Sequence, residues 1–215
     1  MLIEKKGGDI AGLDLGVPQP EWCADVPRLR QGGVGAQYWS VYTNVANMKT
    51  NRSLHEALRA FDVVHRVVRS RPELELARSA DDIDRIHRTG RIASLIGVEG
   101  GHMIEGSLAA LRIFHELGAR YMTLTHWDNV EWADSATDHI DHIRKLAGID
   151  HIGIGADFFD AGTTSMVPGL TNVSRYPFLF AELLRRGYSE EDLSKIAGRN
   201  HLRAMRRMEQ AAERR

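Results

Sequence analysis

The feature that most constrains this chain is an apolar run, Ile92-Ala93-Ser94-Leu95-Ile96, which continues through Gly97 and Val98 to a carboxylate, Glu99, and then to Gly100, Gly101 and His102. In an α/β protein the carboxyl end of a parallel strand is where site residues stand. The glycines permit a sharp turn and leave room beside the carboxylate. A strand that ends in a solvated Glu gives the same pattern, so the surroundings have to decide between the two.

Those surroundings alternate. Residues 34–45 read as a strand, rich in β-branched and aromatic side chains. Ser53-Leu54-His55-Glu56 has the form of a capping box and opens a helix over 53–71, with Leu54, Leu58, Phe61, Val64 and Val68 on its inward face. Ser79, with Asp81 and Asp82 in the first turn, opens a helix that Gly90 closes. The central strand, 91–98, follows. A helix over 106–118 turns Leu108, Leu111, Ile113 and Phe114 inward, and a strand over 119–125 delivers His126. A helix is expected over 138–148 and a further strand over 151–156, delivering Asp157. Asp25 with Pro27 opens a short helix earlier in the chain, and helices over 176–186 and 189–198 come later. Residues 1–24 read as a loop and 199–215 as a basic C-terminal helix with a solvated charge run. Alternating strands and helices are the mark of a parallel α/β sheet, here as one domain over residues 1–215.

Composition excludes several functions. A formal net charge of -1 argues against a nucleic-acid footprint. No apolar run approaches the roughly 18 residues of a membrane span, and the N-terminus lacks the apolar core of a signal peptide. The single cysteine, Cys23, cannot form an internal disulfide, which suits a reducing, cytoplasmic setting.

Three strand ends thus carry Glu99, His126 and Asp157, a ligand set suited to Zn, Mn or Fe. A carboxylate with two oxygens can bridge two metals, an aspartate can shuttle a proton, and a histidine can steady a developing oxyanion. His102, just past Glu99, is placed as a supporting residue. His139, Asp141 and His142 read as the outer side of their helix, His55 and His65 as surface or edge residues of theirs, and His151 as structural.

The sequence resembles the membrane (renal) dipeptidases and their bacterial relatives. The matching segments are Asp25-Val26-Pro27-Arg28-Leu29-Arg30, Gly97-Val98-Glu99-Gly100-Gly101-His102, and Arg120-Tyr121-Met122-Thr123-Leu124-Thr125-His126 with Trp132-Ala133-Asp134. Further on come His139-Ile140-Asp141-His142-Ile143, Gly153-Ile154-Gly155-Ala156-Asp157-Phe158 and Val173-Ser174-Arg175-Tyr176-Pro177. The resemblance implies a (β/α)8 barrel of the metal-dependent amidohydrolase type that hydrolyses dipeptides with two zinc ions and a bridging hydroxide. It makes Glu99 the bridging metal ligand. His126 becomes the substrate-binding and intermediate-stabilising histidine, and Asp157 the proton shuttle.

The chain also departs from that pattern. The family's opening Asp-Gly-His-Asn-Asp strand is not found downstream of Met1. Asp134-Ser135-Ala136-Thr137-Asp138 directly joins parts that a long metal-binding segment separates in the family. The expectation is therefore an incomplete barrel with about half its strands, and weak or no hydrolysis by this polypeptide alone. Two alternatives stand beside it. One is a non-catalytic remnant that forms a homo-oligomer through open sheet edges. The other is a small open sheet with a mononuclear site.

Overall fold

The computed structural model of the chain describes residues 7–123, 148–155 and 172–214. His126, His139, Asp141, His142 and Asp157 lie outside the described residues. The chain divides into two compact units. Of the described residues, 7–13 and 35–123 belong to the first, and 14–34, 148–155 and 172–214 to the second.

The first unit is α/β. Its order is β1 (Ala36–Val41), α2 (Ser53–Arg69), β2 (Leu74–Leu76), α3 (Ala80–Arg88), β3 (Ile92–Val98), α4 (Leu108–Glu116) and β4 (Ala119–Met122); α1 (Val26–Gln31) belongs to the second unit. All four strands are parallel, and β3 is their hub. β1 pairs with it from Ala36↔Ala93 to Val41↔Val98. The amides of Ala93 and Glu99 donate to Gly35 and Val41 on that side. On the other side Ile92 N–H donates to Glu73, Ala77 N–H to Ser94 and Thr123 N–H to Val98. β2 thus flanks the first half of the second edge and β4 the second half. All seven residues of β3 are buried, as expected of a parallel strand covered on both faces.

The helices form for local reasons. Ser79 Oγ accepts the Asp82 amide, and Asp82 in turn accepts the amide of Arg78, so α3 starts on a closed cap. Gly90, at φ 73, lets the chain turn back into β3. α2 buries Ala57, Ala60, Phe61, Val63, Val64, Val67 and Val68, and Phe61 meets Phe114 of α4 with ring centroids 4.9 Å apart. The expected inward faces need correction at three places. Leu58, Leu108 and Ile113 are 41%, 65% and 52% exposed, and α4 packs through Ala110 and Phe114 instead. Helical spacing gave the right helix but placed its stripe too wide.

The second unit, within the described residues, is helical: α1 (Val26–Gln31), α5 (Tyr176–Arg185), α6 (Glu190–Ser194) and α7 (Asn200–Glu213). One cluster of its core has Ile152, Leu183, Tyr188 and Ile196 buried together and Ile149, Ile154, Leu179, Phe180 and Leu193 packed around them, and Val26, Leu29 and Val173 are buried as well. Polar fastenings supplement it. The Asn200 amide nitrogen donates to the carbonyls of Ile149 at 2.7 Å and Ile152 at 2.9 Å. Asp25, fully buried, caps α1 by accepting the Arg28 amide and also takes hydrogen bonds from Gln19 N–H and Arg28 Nε. Burial pushes the Asp25 carboxyl up, but the Arg28 guanidinium and the two amides outweigh it and hold it below the usual range. The strand expected over 151–156 does not form in its described part. Ile149–His151 is a 3-10 turn, and residues 152–155 make no ladder among the described residues. A strand needs an edge to join, and the described part of this unit offers none.

Candidate active site

β3 delivers Glu99. Its backbone N–H donates to Val41 O at 2.9 Å, so the ladder with β1 runs one residue beyond the strand before the chain turns at Gly100, φ 123. Strand alternation puts Glu99 on the same face as Gly97 and Leu95. Their register partners on that face are Ser40 and Tyr38 of β1, and Tyr121 of β4. Glu99 is half-buried there.

The floor below Glu99 is aromatic, and a glycine makes it possible. A Cβ on Gly97 would stand 2.3 Å from the Tyr121 ring and 2.6 Å from its hydroxyl, so Tyr121 lies across β3 only because residue 97 has no side chain. Tyr38 meets Tyr121 at 4.8 Å between centroids, tilted by 60°. Apolar and charge patterns do not single out Tyr121. The signal that pointed to it was the glycine interrupting an apolar strand, which marks a close approach.

His102 is buried, 5% exposed, in the 3-10 turn Gly101–Ile104. Its Nε2 lies 3.1 Å from Thr43 O and 3.4 Å from Thr43 Oγ1. A carbonyl only accepts, so Nε2 carries the proton. The ring thereby ties the loop after β3 to the loop after β1. Of the other histidines on helices, His65 bonds Leu117 O at 2.8 Å and His55 is solvent-exposed. A cavity of about 360 Å³ lies along α2, lined in part by His55, Arg59, Asp62 and Arg66, and Glu99 is not among its walls. Its arginines are engaged, Arg59 with Glu56 and Gly7 O, and Arg66 with Asp62 and Gly8 O.

The described residues do not by themselves fit a metal centre. Among them no three His, Cys, Asp or Glu side chains come together as a ligand group. Glu99 is the one residue of the expected trio they include, and a single carboxylate is short of the three or four protein ligands that zinc takes. Among the described residues, no helix is long and apolar enough to cross a membrane.

Comparison with known proteins supplies the wider frame. The family model described as membrane dipeptidase (Peptidase family M19) matches residues 12–138 and 135–215, two pieces that meet at 135–138. Dipeptidase ataJ of Aspergillus terreus is 30% identical over 320 aligned positions, covering 88% of this chain and 78% of the relative. That alignment is longer than the chain's own 215 residues, so the relative carries a long stretch without a counterpart here. Dipeptidase 3 of Rattus norvegicus is 29% identical and covers 86% of this chain, which spans only 58% of the rat protein. The same fold is found in the crystal structure of a metallo peptidase from Rhodobacter sphaeroides liganded with a phosphinate mimic of the dipeptide L-Ala-D-Ala. The likeness has a TM-score of 0.75 at 16% identity and covers 96% of this chain and 95% of that one. The fold is thus that of a (β/α)8-type metallopeptidase, with four parallel strands among the described residues, half of what a closed eight-stranded barrel needs. With its α/β sheet, its Glu99-bearing strand end and a match that runs from residue 12 to residue 215, this chain belongs to the membrane dipeptidase family, peptidase family M19.

Proposed function

We propose that the rim around Glu99 is the site of a zinc-dependent dipeptidase, acting on short dipeptides. The observation that carries the reading is the strand-end carboxylate itself. Glu99 is half-buried, anchored to Val41 and set above the Tyr121–Tyr38 floor, in a chain of a metallopeptidase family. In this reading Glu99 is a metal ligand, His126 binds the substrate and Asp157 exchanges the proton. A cytoplasmic setting fits the single cysteine. Relatives carry a stretch that this chain does not, so zinc is held less tightly and turnover is lower than in a dipeptidase with the full length of ataJ. A non-enzymatic, self-associating remnant is the less favoured reading, because the family match runs through both units.

The test is zinc titration of the purified chain together with hydrolysis of Gly-Asp. Zinc binding that falls at least about tenfold in Glu99→Gln supports the reading. Equal zinc affinity in the two proteins, with no dipeptide turnover in either, sinks it.

A further inference from the structure

Residues 7–13 belong to the first unit, although residues 14–34 of the second unit separate them from the rest of it in sequence. Two arginines of α2 reach back to hold them. Arg59 Nη2 donates to Gly7 O and Arg66 Nη2 to Gly8 O, each at 2.9 Å, across separations of 52 and 58 residues. The two arginines are close to two helical turns apart, which puts them on one face of α2. Both guanidiniums are aimed before they reach the glycines. Arg59 Nη1 donates to Glu56 Oε2 at 2.7 Å, and Arg66 Nε to Asp62 Oδ2 at 2.7 Å. A guanidinium carries its donors in a rigid fork, so a carboxylate on one side fixes where the other side points. Gly7 and Gly8 stand at φ 58 and 82, a region that residues with a Cβ seldom enter, and Gly8 is buried.

We propose that residues 7–13 form a strap latched to α2 by Arg59 and Arg66, and that ionic strength sets how often it opens. The strap is not held as β3 is. Its apolar residues, Ile10 and Leu13, are only half-buried and lie outside the buried core. Its own hydrogen bonds are local turns, from Ala11 N–H to Asp9 Oδ1 at 2.8 Å and from Leu13 N–H to Ile10 O at 3.0 Å. The latching side chains are open to solvent, with Arg59 43%, Arg66 39% and Asp62 61% exposed. Charges at that exposure are screened by salt. A segment with few buried apolar contacts and exposed hydrogen bonds opens well before the whole unit does. Strap and helix together wall the cavity of about 360 Å³, with Gly7 and Gly8 on one side and His55, Leu58 and Val63 on the other. Opening removes the glycine wall and leaves that face of α2 bare. Neither the strap nor its latch depends on what binds at Glu99.

The experiment compares the full chain with the double variant Arg59→Ala, Arg66→Ala and with Gly7→Ala. The readouts are ¹⁵N relaxation of the Gly8 amide and hydrogen exchange of β3. Both arginine side chains are part-exposed, and a Cβ on Gly7 meets nothing within 4 Å, so neither change disturbs the core. At about 0.05 M salt the parent's Gly8 order parameter is expected near about 0.85, and the double variant's below about 0.6. Exchange in β3 stays within about twofold of the parent in both variants. Raising the salt to about 1 M, where the screening length is about 3 Å, lowers the parent's order parameter toward that of the double variant, which does not respond. Gly7→Ala loosens Gly8 with both arginines intact, because the left-handed backbone is lost. Equal order at Gly8 in the parent and the double variant overturns the latch. Faster exchange in β3 of the double variant overturns the strap as a separate element and makes 7–13 part of the unit's cooperative core. A parent indifferent to salt overturns the dependence on ionic strength, and a Gly7→Ala chain as ordered as the parent overturns the role of the glycines.

Discussion

The two compact units of this chain solve the same problem with different means. The first closes around a strand whose seven residues are all buried, and its helices add the buried side chains of Phe61, Ile86 and Phe114. The second buries Val26, Leu29, Val173, Ile152, Leu183 and Ile196 and adds placed polar contacts, with Asn200 on two carbonyls, Asp25 on α1 and Lys195 on Asp150 at 3.0 Å. The difference teaches that apolar spacing alone predicts the first kind of unit well and the second kind poorly. Area buried in a core contributes in proportion to its size, whereas a hydrogen bond contributes only at its geometry.

If that contrast holds, truncating the first core should hurt most. Phe61→Ala is expected to destabilise the first unit by about 3–5 kcal/mol, read from hydrogen exchange or denaturant melts resolved by peptide. A loss below about 1 kcal/mol would mean the sheet unit does not depend on its core as described. The next largest effect separates the units by the kind of atom a new methyl meets. In Gly32→Ala the Cβ would stand 2.1 Å from the backbone oxygen of Val173, which cannot swing away, so about 1–3 kcal/mol is expected. In Gly97→Ala the obstacle is the Tyr121 ring, which can rotate at the expense of its contact with Tyr38. About 1 kcal/mol is expected there, with a change in tyrosine fluorescence. A larger cost at Gly97 than at Gly32 reverses the order and breaks the argument.

Acid should then distinguish the units again. The Asp25 carboxyl is held below its ordinary value in the folded chain. Its contribution is therefore complete above the unfolded value of about 3.9 and is lost as pH falls through the lower folded value. Exchange in 14–34 should quicken as the pH is taken below about 4, and Asp25→Asn should remove that pH dependence. The smallest effect belongs to the surface. Arg185 and Arg186 hold the Glu182 carboxyl down to about 2, but all three side chains are exposed. Glu182→Gln is expected to leave the denaturant midpoint unchanged within measurement error.

The same contrast explains what could be read from the residues alone. β1, β3 and β4 were legible because an apolar or aromatic run has few other fates, and the caps at Asp25 and Ser79 because their partners lie three residues away. The capping box at Ser53 was not what forms. Ser53 Oγ is buried without a hydrogen-bond partner, and the Leu54 amide is taken by Glu105, 51 residues on. A partner that distant is set by the fold, not by local spacing. Likewise residues 151–155 carry a strand-like sequence, yet whether a strand forms depends on an edge that another part of the chain must provide. Of the candidate site, Glu99 and its place at the end of β3 were legible, and so was the presence of His102 beside it. Tyr121 under Glu99 and Thr43 under His102 were not, because register across two different strand edges brings them there.

The hub role of β3 has a consequence for how the chain is made. β1 and β2 both pair with β3 and not with each other. A ribosome that has released everything up to Arg91 has therefore produced two strands with no ladder to join, and α2 and α3 have no sheet to cover. Arrival of the segment from Ile92 to Val98 allows the β1 and β2 ladders to form together, across chain separations that make such pairing slow. Until then the apolar faces of α2 and β1 wait uncovered. That interval, rather than the finished fold, is when this polypeptide most needs a chaperone.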